Sequence, residues 1–258
     1  MIERITDTSR VRPLFKGWDE TLIASCLDGI MGEVYAQNSE SPKCAFATLG
    51  DFGYLGGTPE REMCEFVKQL LGDRFFILVP QNDAWTELIQ DVFGRFADRI
   101  ERYAIKKEEG VFDRTRLEAA VKALADGYTL QSIDESLYNE CLRHEWSKDF
   151  VAQYKNYAQY KAIGLGTAVL YKGEIVAGTS SYSSFDGGIE IEVVTREDHR
   201  RKGLAFSSSA KLILDCLDRG LYPSWDARTM YSVKLAEKLG YHYSHPYTAV
   251  DINSDKSL

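Results

Sequence analysis

The sequence predicts a mixed α/β protein in which strands and helices alternate along two halves of the chain. Short segments rich in β-branched and aromatic residues are separated by segments whose apolar residues recur every three to four positions. In the second half, strand-like segments are joined by tight turns at Lys172–Gly173 and Asp186–Gly188. Turns that short connect antiparallel neighbours, so part of the sheet is an antiparallel meander.

Composition excludes several classes of function. The chain of 258 residues carries 31 Lys and Arg against 39 Asp and Glu, and its net charge of −8 gives no general attraction for nucleic acid. The five cysteines form no CxxC pair and have no histidine at metal-ligand spacing, so we expect buried thiols, no metal and a cytoplasmic protein. The longest apolar run, at 75–80, is too short to span a membrane.

Apolar stripes and capping residues place the elements of the first half. The stripe of Leu22, Ile23 and Cys26 predicts one helix, and Thr58 and Gly72 are expected to cap and stop a second one. The remaining expected elements are a hairpin with strands near 31–36 and 44–49, a buried strand at 75–80, a helix over 83–94 and an extended segment at 98–108.

A helix over about 113–126 connects the two halves. Asp113 is its expected cap and Gly127 its stop, and no Pro- or Ser-rich spacer accompanies it. We therefore place the domain boundary here, with one domain at 1–125 and a second at 126–258.

The second half is expected to contain a mixed sheet with helices between its strands. A long helix starts near Gly203, because Phe206, Ala210 and Ile213 recur at helical spacing, and it ends at Gly220. The other elements are strands near 128–133, 166–171, 174–181, 189–195 and 221–225, helices near 134–143, 147–159 and 229–239, and a final strand or hairpin after Gly240.

The turn before the long helix combines a cationic run with a glycine. Strand 189–195 is followed by Arg200, Arg201 and Lys202, and then by Gly203. The first N–H groups of a helix lack intrahelical partners and the helix dipole adds partial positive charge there, so this geometry binds phosphate. A basic run before a glycine is more often a solvated turn; the strand–turn–helix context favours an anion site here.

At these residues the sequence resembles the GNAT acyltransferase superfamily. That family's pyrophosphate signature, Arg/Gln-x-x-Gly-x-Gly/Ala, is matched by "RRKGLA" at 200–205, and "SVKLAEKLGY" at 232–241 is similar to the family's fourth helix. The resemblance implies a GNAT fold for the C-terminal half. The whole chain is also similar to two-domain bacterial members of the family. That similarity implies a degenerate GNAT-like N-terminal half that binds no coenzyme A.

The resemblance further implies acetyl-CoA or another acyl-CoA as the donor. The pantetheine arm would meet Val193, Val194 and Thr195, and the backbone N–H groups of 201–205 would hold the pyrophosphate. The implied donor-binding residues are Val193, Val194, Thr195, Arg200, Arg201, Lys202, Gly203, Leu204, Ala205, Thr229 and Ser232.

The resemblance leaves several candidates for the proton-transfer residues. The family often has a tyrosine acid at the position of Ala236, which cannot donate a proton, so Tyr231, Tyr241, Tyr247 or solvent would replace it. Glu190 and Glu192 alternate onto one face of their strand, as a base acting through water would, although an ordinary polar strand face is an equal alternative. The catalytic candidates are therefore Glu190, Glu192 and Tyr231.

Two functions follow from the resemblance. The first is an N-acyltransferase that moves an acetyl or other acyl group from acyl-CoA to the amine of a small molecule by direct attack. The alternative is a protein of the same fold that binds acyl-CoA as a sensor or interaction module without turnover. We expect no nucleic acid and no membrane as partners, and a homodimer is the assembly to test.

Overall fold

A computed structural model describes residues 1–253, and the chain divides into two units. The first unit contains Met1–Arg102 and the segment that starts at Pro246; the second is Tyr103–His245. This division differs from the predicted boundary between residues 125 and 126. The helix at 114–122 belongs to the second unit because its Leu117 and Ala120 lie in that unit's buried core.

The elements of the first unit follow in chain order. They are β1 (Ile2–Arg4), α1 (Thr21–Leu27), β2 (Glu33–Gln37), β3 (Cys44–Leu49), β4 (Phe52–Gly57), α2 (Arg61–Leu71), β5 (Phe76–Pro80) and α3 (Asp83–Phe93). The chain leaves this unit within β6 (Ala97–Ile105).

The second unit continues from β6. Its elements are α4 (Arg114–Lys122), β7 (Tyr128–Ser132), α5 (Glu135–Cys141), α6 (Tyr157–Ile163), β8 (Gly166–Tyr171), β9 (Glu174–Phe185), β10 (Gly188–Thr195), α7 (Leu204–Asp218), β11 (Tyr222–Ser224), β12 (Asp226–Ala227) and α8 (Met230–Leu239). The chain then returns to the first unit within β13 (Tyr243–Ile252).

The first unit is built on strands in the order β1-β2-β3-β4-β5-β13. Strand β4, which the sequence did not predict, pairs antiparallel with β3 and parallel with β5. Helix α2 starts later than the predicted cap at Thr58, because the Thr58 backbone N–H is still bonded to the carbonyl of Lys43. Trp85 and Phe46 are fully buried in the core on this sheet.

The second unit is built on a five-stranded sheet in the order β11-β10-β9-β8-β7. Strands β8, β9 and β10 form the predicted antiparallel meander, whereas β10 and β11 run parallel. Helix α7 covers one face, where Ile189 and Ile191 of β10 join Leu212 and Ile213 of α7 in one buried cluster. This packing fixes the start of α7 relative to the end of β10.

The segment between α5 and α6 differs from its predicted helix at 147–159. A short 3₁₀ turn at Lys148–Phe150 comes first, and α6 begins only at Tyr157. Asn156 explains the break, because its backbone is extended and its side chain accepts a hydrogen bond from the N–H of Gln159.

Buried tyrosines attach this segment to the serine-rich strand β9. Tyr154 Oη donates to Ser181 Oγ at 2.6 Å and lies 3.0 Å from Ser184 Oγ. Tyr160 Oη lies 3.0 Å from Ser180 Oγ. Since each hydroxyl has a partner, burying these polar groups does not leave them unsatisfied.

Burial of Tyr154 makes the stability of the protein sensitive to alkaline pH. Burial raises the pKa of Tyr154 to about 12, whereas an unfolded tyrosine titrates near 10. Between these values the unfolded chain loses the proton and the folded chain keeps it. The free energy of unfolding therefore falls as the pH rises from about 10 to about 12, by about 3 kcal/mol for this group.

The variant Tyr154→Phe isolates that contribution. Urea unfolding at pH 9 and at pH 11.5 should show a smaller loss of unfolding free energy in the variant than in the unmodified protein, by about 2 kcal/mol. Equal losses in the two proteins would contradict the assignment of the raised pKa to Tyr154.

Candidate functional site

The site begins where two parallel strands separate. The register of β10 with β11 runs through Gly188–Tyr222, Ile189–Pro223 and Glu190–Ser224. Strand β11 ends at Ser224, while β10 continues to Thr195. The backbone of β10 beyond Glu190 therefore has an edge that β11 does not cover, and an extended ligand can pair with such an edge.

The turn after β10 enters α7 through a left-handed conformation. Arg201 has φ of 62° and Gly203 has φ of 77°, a region that favours glycine. A Cβ at Gly203 would meet no atom within 4 Å, so packing does not require glycine here. Glycine is needed for the backbone conformation and keeps the helix end open.

The N-terminus of α7 has no side-chain cap. Side chains of Asp113, Asp134, Asn156 and Thr229 cap the other four α-helices of the second unit, whereas Gly203 supplies none to α7. The N–H of Ser207 bonds to the carbonyl of Gly203, so the amides of Leu204, Ala205 and Phe206 precede the first helical bond. These amides can donate to an anion.

A cavity of about 520 Å³ lies in front of this helix end. The turn and α7 contribute one wall and α8 contributes another. Basic side chains come from both walls, which makes the cavity electropositive in a protein of net charge −8. The lining residues are Thr195, His199, Arg200, Arg201, Gly203, Leu204, Ala205, Phe206, Tyr231, Lys234, Leu235 and Lys238.

His199 holds the turn in place through hydrogen bonds to two neighbouring residues. Although it lies in a charged turn, it is only 6% exposed. Its Nδ1 lies 2.8 Å from Tyr128 Oη on β7, and its Nε2 lies 3.1 Å from Arg196 Nη2. Arg196 is in turn paired with Asp198, so a short network anchors the turn to the sheet.

The predicted donor-binding residues are distributed unevenly around the cavity. Thr195, Arg200, Arg201, Gly203, Leu204 and Ala205 line it, whereas Val193 and Val194 belong to the uncovered part of β10. The ammonium of Lys202 is directed elsewhere, since it donates to Tyr128 Oη at 3.2 Å and to the Asp198 carbonyl at 3.3 Å. A phosphate contact from Lys202 would require this side chain to leave those partners.

Thr229 and Ser232 have structural contacts at the start of α8. Thr229 Oγ1 accepts a hydrogen bond from the N–H of Ser232 at 3.3 Å and so caps the helix. Ser232 Oγ accepts one from Trp225 Nε1 at 3.0 Å. Their predicted role in binding the donor stays a prediction.

The catalytic candidates lie in different places. Glu190 and Glu192 project from the face of β10 opposite Ile189 and Ile191, with Glu190 8% exposed and Glu192 half-buried. Tyr231 instead lies in the first turn of α8, lining the cavity, with 86% of its surface exposed. The structure therefore places Tyr231 with the basic residues around the helix end.

The alternative tyrosine acids have different surroundings. Tyr241 is fully buried, donates to the carbonyl of Pro223 at 2.7 Å, and has a pKa raised well above its usual value by burial. Tyr247 belongs to the first unit. Ala236 is buried in the core of the second unit.

Sequence reasoning missed the lysines of α8. Lys234 and Lys238 are spaced i and i+4, so they lie on one helix face together with Tyr231 and Leu235. That spacing was visible in the sequence, but nothing in it showed that this face meets the turn before α7.

Two negative findings apply to the part of the chain that the structure describes. Within residues 1–253, no group of three or more His, Cys, Asp or Glu side chains is placed to hold a metal ion. Over the same residues, no helix is long and apolar enough to cross a membrane.

The network around His199 fixes which ring nitrogen carries the proton. A guanidinium can only donate, so Nε2 accepts from Arg196 and Nδ1–H donates to Tyr128 Oη. We expect two-dimensional ¹H–¹⁵N NMR of the imidazoles at pH 8 to show the Nδ1–H tautomer, with His199→Gln used to assign the signal. An Nε2–H tautomer, paired with Asp198 at 3.5 Å, would contradict this network.

Comparison with known proteins agrees with this geometry. A family model described as GNAT acetyltransferase matches residues 12–250. The uncharacterized N-acetyltransferase YdfB of Bacillus subtilis (strain 168) is 26% identical over 238 residues, which is 88% of each chain.

Solved structures extend the similarity to the fold. The crystal structure of a GCN5-related N-acetyltransferase-like protein from Streptococcus suis 89/1591 is 47% identical, covers 95% of this chain and 98% of its own, and has a TM-score of 0.90. A tandem GNAT protein from the clavulanic acid biosynthesis pathway is 10% identical and has a TM-score of 0.54. The match covers 100% of this chain and 99% of that protein, and it shows a shared fold alone. The predicted mixed α/β fold and the resemblance noted at residues 200–205 and 232–241 are confirmed, and the chain belongs to the GNAT acetyltransferase family.

Proposed function

We propose that this protein is an acyl-CoA-dependent N-acyltransferase whose donor binds to the second unit and whose acceptor is the amine of a small molecule. The observation that carries the proposal is the uncapped, left-handed start of α7, which faces an electropositive cavity at the end of the uncovered strand β10. Backbone amides and cations in this arrangement suit a pyrophosphate.

The residues present suit the pyrophosphate and the pantetheine arm of coenzyme A. The amides of Leu204 and Ala205, with the side chains of Arg200 and Arg201, would hold the pyrophosphate. The uncovered backbone of β10 at Val193–Thr195 would pair with the amide groups of the pantetheine arm. Membership of the GNAT acetyltransferase family supports acetyl-CoA as the donor.

The first unit provides a contrast within the same chain. Its parallel strands β4 and β5 stay joined from Phe52–Ile77 to Leu55–Pro80. Beyond that pair, the N–H of Gln81 bonds to the Leu55 carbonyl at 3.1 Å, and Gln81 Oε1 accepts from the Gly57 N–H at 2.9 Å. Since these strands do not separate in the same way, we place the donor in the second unit.

A direct transfer would use the side chains of β10 for proton movement. Bound acyl-CoA supplies a thioester. The amine nitrogen would form the new C–N bond at its carbonyl carbon, and the C–S bond would break to release the thiolate, which would take a proton from water. An N–H of Val193 or Val194 would donate to the carbonyl oxygen. Glu190 or Glu192 would accept the amine proton, directly or through a water molecule.

A second candidate function is an acyl-CoA-binding module without turnover. The observation in its favour is Ala236, which is fully buried where the family often has a tyrosine acid. Both functions use the same donor site and differ only in whether an amine accelerates release of the thiol.

Gly203→Val tests the donor site. The branched side chain would project beside the helix amides and should weaken CoA binding roughly tenfold or more in calorimetry. Gly187→Val is the matched control, because Gly187 has φ of 82° and open space around its Cβ but does not line the cavity. Both variants should lose about 1–2 kcal/mol of stability from the left-handed backbone. Unchanged CoA affinity in Gly203→Val would refute the pyrophosphate assignment.

Release of free thiol from acetyl-CoA over a panel of small amines tests catalysis. We expect at least one amine to accelerate release, and Glu190→Gln or Glu192→Gln to lower kcat/KM by about 10²-fold or more while CoA affinity stays unchanged. Glu237→Gln, an exposed change of equal charge on α8, is the control. Tight CoA binding with no acceleration by any amine would favour the binding module.

A further inference from the structure

We propose that Ser183 is a positioning residue that directs the carboxylate of Glu190 during acyl transfer, and that Glu190 rather than Glu192 accepts the proton of the amine. The inference rests on the proposed function and deepens it, because it selects one of the two candidate bases. It also gives a role to a buried hydroxyl group that takes no part in the hydrogen bonding of the fold.

The hydroxyl group of Ser183 is buried without a partner. Ser183 is fully buried, and its Oγ makes no hydrogen bond within residues 1–253. Because a buried hydroxyl in this state costs free energy, native proteins keep few of them. Such a group is expected where a catalytic hydrogen bond forms only in the complex with substrate.

The register of the sheet places Ser183 beside Glu190. The two residues lie directly opposite each other on β9 and β10, so their side chains project from the same face. Cβ atoms of such pairs are about 4.5–5.5 Å apart, a separation that a side-chain rotation or one water molecule can bridge. Since Glu190 is only 8% exposed, the Ser183 hydroxyl is a donor for its carboxylate where little solvent competes.

An irregularity of the sheet lies at this pair. The register shifts between Glu190 and Ile191, so that Ser181 rather than Tyr182 is opposite Ile191. A β-bulge changes the direction of a side chain relative to a regular ladder, and bulges are over-represented next to active sites. Glu190 is also the last residue of β10 that pairs with β11. The pair of Ser183 and Glu190 therefore lies where the uncovered edge of β10 begins.

The second candidate base has a neighbour whose hydroxyl is already used. Ser180 lies opposite Glu192. Its Oγ donates to the Phe150 carbonyl at 2.7 Å and lies 3.0 Å from Tyr160 Oη. Because a serine hydroxyl has a single proton, Ser180 has none left for Glu192. This difference is the reason to choose Glu190 as the base.

The proton of the amine moves to Glu190 in this step, and Ser183 keeps its own. As the C–N bond forms and the C–S bond breaks, the Glu190 carboxylate takes the amine proton, and the thiolate is protonated by water. Glu190 returns its proton to solvent after the product leaves. Ser183 donates a hydrogen bond to the carboxylate and so fixes the direction in which it faces the amine.

A double-mutant cycle measured by thiol release from acetyl-CoA, with the most active amine of the panel, tests this role. Ser183→Ala should lower kcat about tenfold while KM for acetyl-CoA changes less than about twofold, because only the direction of the base is lost. In the Glu190→Gln background the same change should lower kcat less than about twofold further. In the Glu192→Gln background the tenfold effect should remain.

Thr167→Val is the matched control for kcat. Thr167 is buried and its Oγ1 has no hydrogen bond in the described part of the chain, but it lies opposite Thr179, whose hydroxyl bonds to Ser208 of α7. The control therefore removes an equivalent hydroxyl from the other face of the sheet and should leave kcat unchanged. In urea, Ser183→Ala should not lower the unfolding midpoint, whereas Ser180→Ala should, because only the latter loses a hydrogen bond.

The outcomes distinguish this inference from the proposed function. If thiol release is accelerated by an amine but kcat is unchanged in Ser183→Ala, or falls equally in the Glu190→Gln background, the positioning role is refuted and the proposed function stands. A lower urea midpoint in Ser183→Ala would make its hydroxyl structural and would also refute the role. If no amine accelerates release in the unmodified protein, the proposed function fails, and this inference fails with it.

Discussion

The separation of β10 from β11 after Glu190–Ser224 is the constraint on which the site depends. Ile189 and Ile191 anchor β10 in the core under α7, so the strand is rigidly held on one side. Its other edge is not covered by β11 beyond Ser224. The same packing brings the start of α7 to the end of this edge, and the proposed donor site rests on these two facts together.

The positive charges at the start of α7 destabilise the N-terminus of this helix and favour binding of an anion. Helix N-termini are ordinarily stabilised by acidic or capping side chains, yet α7 begins after Arg200, Arg201 and Lys202 and has no cap. The hydrogen bond between buried His199 and half-buried Tyr128 holds this unfavourable turn in place. An anion would supply the missing negative charge, which is the physical reason to expect one here.

Much of this arrangement was predictable from the sequence because it is local. The meander, the helix from Gly203 and the cationic turn are encoded by tight turns, periodicity and a short motif. Strand β4 was missed because glycine is disfavoured in strands, yet Gly53 and Gly56 make room for the rings of Phe46 and Phe15. The division into units differs from the predicted boundary because α4 joins the second core through contacts distant in sequence.

The candidate site residues also divide into those that a local motif reveals and those that depend on packing. Arg201 and Gly203 were found by motif, whereas Lys234, Lys238 and the burial of His199 depend on tertiary packing that no spacing rule reveals. Lys202 was assigned to donor binding through the family resemblance, and its bond to Tyr128 depends on where β7 lies. Side-chain direction within a turn is therefore the property that the sequence determines least.

A crystal structure of the protein with acetyl-CoA tests the central claim most directly. The account predicts pyrophosphate oxygens about 3 Å from the backbone nitrogens of Leu204 and Ala205, with the pantetheine arm along Val193–Thr195. Acetyl-CoA bound elsewhere, with the start of α7 facing only solvent, would contradict it.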